Sequence, residues 1–243
     1  MDKSTAQRLV ALNRRFYQSL AQPFSETRGR LQPGALRVLE NIGKWESVLD
    51  LGCGNGELAA ELERRGHQGA YLGLDFSAEL LSIARQRNYD NAKASFLEAD
   101  LSAEDWAAAL GEQRFDWLLC FASLHHIPGE KMRLAFLKQL RPLLADGGRF
   151  VHSNWQFLNS PRLAARVQPW ARAKLNDSDV DEGDYLLDWK RDGEGLRYVH
   201  HFSAEELAAL AEASGFAVAE AFSSDGETGD LGLYMVWGRS SED

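Results

Sequence analysis

Apolar positions along the chain recur first at helical spacing and then in short runs separated by turns. Leu9, Leu12, Phe16 and Leu20 lie on one stripe, which predicts an amphipathic helix over residues 4–20. Pro23 ends it, and the stretch from Phe16 to Arg28 carries aromatic residues and an arginine in non-periodic order. A second helix is expected at about 33–42. From Val48 the period changes. The run Val48 to Leu51 is apolar and β-prone, breaks into a glycine-rich turn, and leads into a helix over 58–65. Ala70 to Asp75 reads as a second strand, and Ser77 is placed to cap a helix over 78–87. Ala94 to Glu98 is a third strand. Phe115 to Phe121 is nearly all apolar, as a strand buried on both faces of a parallel sheet should be. A helix over 130–144 stops at Ala145-Asp146-Gly147-Gly148, and Arg149 to Asn154 is the fifth strand. This alternation predicts an α/β fold with a doubly wound, mostly parallel sheet.

Beyond residue 155 the pattern loses its regularity. Pro161 to Lys174 reads as a helix with Arg162, Arg166, Arg172 and Lys174 and no acid. Asn176 to Trp189 then holds six acids and no base, which as a bare charge run predicts a solvated face. Ser203 and Glu206 form a capping-box pair opening a helix over 204–214, closed by Gly215. Phe216 to Phe222 and Leu231 to Trp237 are the last two strands, joined by a turn-rich loop that predicts an antiparallel pair at the sheet edge. The expected architecture is seven-stranded with an antiparallel last strand. It forms one domain over 1–243, with a helical arm at 1–44 and an insertion at 155–202.

Composition narrows the class. A length of 243 residues with 44% hydrophobic content suits one α/β domain with a substantial core. No apolar run approaches a membrane span and the N-terminus lacks a signal-peptide pattern, so a cytoplasmic protein is expected. The two cysteines, Cys53 and Cys120, sit at predicted strand ends without metal-ligand spacing, so neither a disulfide framework nor a metal site is expected. Net charge is −9, but residues 1–44 hold eight Lys/Arg against three acids, +5, which leaves −14 for the rest. Either a basic face for a polyanion or ordinary solvated helix faces would produce that asymmetry.

The chemistry starts at the glycine turn. Gly52, Gly54 and Gly56 give G-x-G-x-G, whereas a dinucleotide fingerprint would put its third glycine where Glu57 stands. Asp50, on the strand just before the turn, is an awkward neighbour for a pyrophosphate and suits a phosphate-free ligand with a cationic end. Asp75 ends the second strand 19 residues beyond Gly56, about where a ribose-binding carboxylate stands in this architecture. Asp100, followed by Leu101, ends the third strand and can receive an exocyclic amine. It can equally belong to a polar turn with Ser102 and Asp105. Ala122 to Pro128, with His125 and His126, lies past the carboxyl end of the central strand, the edge where open α/β sheets bind ligands.

Taken together these segments resemble the class I S-adenosylmethionine (SAM)-dependent methyltransferases over about residues 16–238. A narrower likeness is carried by Phe16-Tyr17 with Phe24-Ser25-Glu26-Thr27-Arg28, by Leu49 to Gly56, by Leu124-His125-His126, and by Leu196-Arg197-Tyr198-Val199-His200-His201-Phe202. In that order they are similar to the eukaryotic tRNA methyltransferases that esterify 5-carboxymethyluridine at the wobble position. Where that family commonly has Val-Pro-Trp, this chain has Leu187-Asp188-Trp189. The resemblance implies SAM as cofactor, held by Tyr17, Arg28, Asp50, Gly52, Gly54, Asn55, Asp75, Phe76, Asp100, Leu101 and, as a small filler, Cys120. It implies an arm covering the cofactor, a substrate lid in the insertion, tRNA as acceptor, and a small activator subunit that nothing in these residues calls for by itself.

A carboxylate acceptor is already ionised at pH 7, so such a reaction needs no general base. It needs groups that orient the carboxylate, and Arg28, His125, Arg197 and His200 are the candidates. Two rival readings stay open: a small-molecule O- or N-methyltransferase with the same cofactor site, and a non-catalytic SAM-binding partner protein.

Overall fold

A computed structural model describes residues 1–19, 30–189 and 195–240. It opens with helix α1 (Lys3–Ser19) and a short α2 (Pro33–Leu39). The alternating core follows as β1 (Val48–Leu51), α3 (Glu57–Arg64), β2 (Ala70–Asp75), α4 (Ala78–Arg85), β3 (Lys93–Glu98), β4 (Phe115–Phe121), α5 (Glu130–Leu140) and β5 (Leu144–Trp155). The chain then makes α6 (Pro161–Ala164), β6 (Val167–Gln168), β7 (Asp184–Trp189) and β8 (Gly195–His200), and ends in α7 (Ala204–Ala213), β9 (Phe216–Ser224) and β10 (Gly232–Arg239).

The main sheet has seven strands in the order β3-β2-β1-β4-β5-β10-β9. All neighbouring pairs are parallel except those of β10, which enters antiparallel between β5 and β9. The predicted doubly wound sheet with an antiparallel last strand is therefore present. β1 is buried along its whole length because α2 and α3 cover one face of the sheet while α5 and α7 cover the other. Strand order reverses between β1 and β4, and at such a switch point the adjoining loops part and open a crevice.

The segment after β5 folds into its own three-stranded antiparallel sheet, β6-β7-β8. Two expectations fail here. The helix expected over 161–174 stops at Ala164, because Pro169 has no amide hydrogen to give and its ring would clash with the preceding turn. The chain instead pairs at β6 and makes a 3-10 turn at Trp170–Ala173. The acid run is not simply solvated either. Asp184 and Asp188 lie buried on β7, where Asp184 receives hydrogen bonds from the Tyr198 hydroxyl and His200 Nδ1, both at 2.7 Å, and Asp188 pairs with Arg166.

α1 packs on this second sheet. Its predicted stripe is used as expected at Leu9 and Phe16, both buried, with Leu9 against Trp170, Leu175, Leu186 and Tyr198. Asn13 fixes the register: its Oδ1 accepts the Tyr198 N–H at 2.7 Å, and its Nδ2 donates to the Tyr198 carbonyl at 3.1 Å. Leu20, Pro23, Phe24 and Arg28 lie outside the described residues. Among the described residues no helix is long and apolar enough to cross a membrane, and no group of three His, Cys, Asp or Glu is placed to hold a metal.

His200 is sandwiched, with Asp184 on Nδ1 and Glu206 on Nε2 at 2.9 Å. Burial alone would push its pKa down, but the two carboxylates outweigh it and raise it. A raised pKa stabilises the fold below the unfolded value near ~6.5 and loses that contribution as pH climbs through the folded value. Asp184→Ala should therefore cost about 3–5 kcal/mol at pH 6, the scale for breaking a buried pair. The deficit should shrink toward pH 9, which denaturant melts at both values would read.

Candidate active site

The site begins where β1 and β2 end side by side. The Leu74 carbonyl accepts both the Gly52 and Cys53 amides, at 2.7 and 2.9 Å, so the chain turns sharply on leaving β1. Asp75 completes the staple: Oδ2 accepts the Gly54 N–H and Oδ1 the Ser77 N–H, each at 2.9 Å. One of the glycines is demanded by space and another leaves it open. A Cβ on Gly52, at φ +84°, would come within 2.1 Å of the Ser123 hydroxyl. Gly54, at φ +55°, instead looks onto open space, where a ligand can approach the bare backbone.

That space divides into two adjoining cavities. The smaller, about 170 Å³, is roofed by α1 through Val10, Asn13, Arg14 and Tyr17 and floored by Gly52, Gly54, Asp75, Phe76, Asp100 and Leu101. It has the donor set for a nucleoside. Asp75 keeps lone pairs on both oxygens for a ribose diol, since each backbone amide uses only one. Phe76 stands edge-on to Tyr17 at 6.2 Å between centroids, and Asp100 and Leu101 close the far end. Asp100 also serves the turn: it accepts from the Ser102 amide at 3.0 Å and pairs with Arg14 of α1.

The larger cavity, about 460 Å³, shares Gly52, Gly54, Phe121, Ala122 and His126 with the first and reaches from Asp50 to the second sheet. Asp50 accepts the Tyr71 hydroxyl at 2.5 Å. Burial pushes its pKa up to about 7, the Tyr71 hydrogen bond works the other way, and the nearby Asp75 charge adds to the rise. A buried carboxylate poised at neutrality is a receptor for a cation. On the opposite wall the Arg197 guanidinium, buried, lies over three rings: Trp155 at 4.7 Å, Phe16 at 5.5 Å and Trp189 at 5.8 Å. The aromatic wall fixes the guanidinium in place on the cavity wall.

Two neighbouring histidines carry opposite tautomers. His126 Nδ1 faces the Tyr198 carbonyl at 3.0 Å, which can only accept, so the proton is on Nδ1, and Nε2 receives the Tyr17 hydroxyl at 2.6 Å. His125 Nδ1 accepts the Trp155 N–H at 3.4 Å, which leaves the proton of the neutral ring on Nε2.

Tyr17, Asp50, Gly52, Gly54, Asn55, Asp75, Phe76, Asp100 and Leu101 thus all line one cavity or the other, as do His125 and Arg197. Cys120 does not: it is buried within β4, and burial raises its thiol pKa. His200 lies off both cavities in its carboxylate sandwich. Arg28 falls outside the described residues. His126, Trp155, Arg166 and Trp189 line the larger cavity as well, beyond the candidates that the sequence offers. Trp155 had a signal, since it ends a parallel strand at the ligand edge, whereas Arg166 was hidden inside a helix that does not form.

The family model described as a methyltransferase domain matches residues 17–221. The chain belongs to that family. An Encephalitozoon cuniculi protein whose name places it among the methyltransferases is 30% identical over 206 residues, 84% of this chain and 86% of that one. The tRNA (carboxymethyluridine(34)-5-O)-methyltransferase of Xenopus tropicalis is 31% identical over 139 residues, 57% of this chain but only 20% of that protein. A solved SAM-dependent methyltransferase of Methanosarcina mazei shares the fold, with a TM-score of 0.65 at 22% identity over 87% of this chain and 99% of that one. The Methanosarcina protein is SAM-dependent by its name. The residues of this chain fit SAM: the smaller cavity would take its nucleoside, and Asp50 would face its amino-acid end, whose ammonium a carboxylate can pair.

Asp75→Ala should weaken SAM binding by at least about 1.5–3 kcal/mol, the scale of hydrogen bonds to a charged group, because it removes the ribose acceptor and frees the Gly54 loop. An unchanged dissociation constant by calorimetry would take Asp75 out of that role. Asp50 makes binding pH-dependent. Its raised pKa means the ionised form needed to pair the ammonium is lost below pH 7, so SAM affinity should fall by about tenfold per pH unit from pH 6 to 5. Asp50→Asn should bind more weakly at pH 7.5 and show no such slope.

Proposed function

We propose that this methyltransferase esterifies a carboxylate, that of a modified wobble uridine in tRNA. The observation that carries the reading is Arg197, a buried guanidinium held by three aromatic rings on the wall facing the methyl-donor site. It supplies the charge that a carboxylate needs, and Trp155 and Trp189 offer ring faces for a planar base. The segment bearing β6, β7 and β8 then acts as the substrate lid, and α1 as the arm over the cofactor.

The proton inventory of the cavity favours an acceptor that has no proton to lose. Among the described residues three carboxylates line it, and each is engaged. Asp50 holds the Tyr71 hydroxyl, Glu57 pairs with Arg87, and Asp225 accepts the Gly34 amide and the Tyr234 hydroxyl at 2.9 and 2.8 Å. His126 has its basic nitrogen on Tyr17, and His125 presents an N–H rather than a lone pair. SAM, when bound, supplies an electrophilic methyl group. Arg197 and the His125 Nε2 hydrogen aim a carboxylate oxygen at it, α1 and the lid exclude water, and no residue has to move a proton. Positioning of this kind can supply about 7–11 kcal/mol of the barrier. The Xenopus relative, whose name states this reaction, supports the same substrate. A small-molecule acid is the second reading, favoured by the net charge of −9.

Labelled SAM offered with tRNA carrying 5-carboxymethyluridine, with free carboxylic acids and with amines should label the tRNA, and mild alkali should release the label as methanol. At saturation kcat should stay nearly flat from about pH 6.5 to 9, since the nucleophile is ionised throughout. Arg197→Ala should lower kcat/KM by about 30-fold or more, the 2–5 kcal/mol expected when one partner of a buried charge pair is truncated. A rate rising tenfold per pH unit and abolished by His125→Ala would overturn the carboxylate reading.

A further inference from the structure

The cations of this chain are unevenly spent. On α1 and α2, Lys3 pairs with Glu104, Arg14 with Asp100 and Arg37 with Glu220, so three of the eight cations that the sequence places in residues 1–44 are neutralised in place. The segment after β5 is different. From Arg162 to Lys174 it carries four cations and no acid, and only Arg166 is held by a carboxylate, that of Asp188. Arg162, Arg172 and Lys174 are exposed, and among the described residues none of them forms an ion pair.

Arg172 and Lys174 lie just past the β6 edge of the second sheet, and Arg162 lies on the short helix that leads into that strand. Arg172 donates to the Gln168 side-chain oxygen at 2.7 Å, and Gln168 donates to the Arg166 carbonyl at 3.1 Å. Arg8 crosses from α1 to the same place and donates to the Ala173 and Lys174 carbonyls at 3.3 and 2.8 Å, again with no carboxylate partner. Leu163 and Arg166 belong to the wall of the larger cavity, so the edge starts at the acceptor mouth. The nearest acids on β7, Asp184 and Asp188, are turned inward and buried, and the exposed Asp177 begins only past Lys174.

We propose that this edge, from Arg162 through Arg172 and Lys174 to Arg8, is the surface along which the phosphodiester backbone of the RNA acceptor lies while its modified base enters the cavity. The proposal rests on the RNA reading given above. A protein of net charge −9 repels RNA at a distance. Productive approach therefore needs a local field of opposite sign at the cavity mouth, and unpaired, solvated Arg and Lys side chains provide it without first breaking an ion pair.

The test is a salt titration of total-tRNA binding by the full chain, from about 50 to 200 mM salt, with Arg162→Ala, Arg172→Ala and Lys174→Ala combined. Each phosphate contact contributes about 0.7–0.9 to the slope of log affinity against log salt, so the triple variant should lose about 2–3 from that slope. Its kcat/KM for tRNA should fall at least about tenfold. SAM affinity and methylation of free 5-carboxymethyluridine should stay at wild-type values, and Arg162→Lys with Arg172→Lys should keep the slope. An unchanged slope in the triple variant, with Arg14→Ala and Arg15→Ala flattening it instead, would overturn the proposal and move the RNA to α1. Lost SAM affinity in the triple variant would also overturn it, by showing that the edge supports the fold. Wild-type protein that binds no tRNA at 50 mM salt would instead defeat the RNA reading itself.

Discussion

The end of β2 does two jobs with adjacent groups. The Leu74 carbonyl takes two amides of the glycine loop and the Asp75 carboxylate takes a third, so a flexible turn becomes a rigid cradle without any contact to the ligand. Everything that follows depends on that rigidity. Gly54 can offer bare backbone only because its neighbours are tied, Ser123 can close on Gly52 only because no Cβ is there, and Asp50 is buried because the loop folds over it. The stapling acid also lines the smaller cavity, so the side chain that orders the loop is one that a ligand there would meet.

A second set of constraints joins three distant stretches of chain. Tyr198 of β8 gives its amide and carbonyl to Asn13, its carbonyl also to His126, and its hydroxyl to Asp184. The arm, the turn after β4 and the second sheet thus meet at one residue, which itself lies beside Arg197. The wall of the larger cavity is therefore shared, with Trp155 coming from the main sheet and Arg197 and Trp189 from the small one, and the Tyr198 cluster holds the two sheets in register.

Much of this was legible beforehand, and the reasons differ by residue. Asp50, Gly52, Gly54 and Asp75 declare themselves because strand, turn and helix are contiguous there, so spacing along the chain is spacing in the structure. His200 and Asp184 do not, because each is defined by partners elsewhere. His200 reads as a group that could orient a carboxylate acceptor until Asp184 and Glu206 are seen on its two nitrogens, and Glu206 reads as a capping residue while its carboxylate faces the histidine. The helix expected over 161–174 put helical periodicity above a single proline, and Pro169 prevailed. The acid run beyond it misled because composition cannot tell which carboxylates a β-strand turns inward.

Asn13 has a wider consequence for how this chain keeps to itself. β8 is an outer strand of the small sheet, and its Tyr198 amide and carbonyl point sideways, as if to receive one more strand. The side-chain amide of Asn13 supplies one donor and one acceptor in the arrangement of a peptide unit, so a helix stands in for the missing neighbour. Exposed strand edges invite pairing with other chains. Here a single carboxamide, delivered by α1, fills that position at Tyr198, so the helix that roofs the smaller cavity also covers this part of the small sheet's edge.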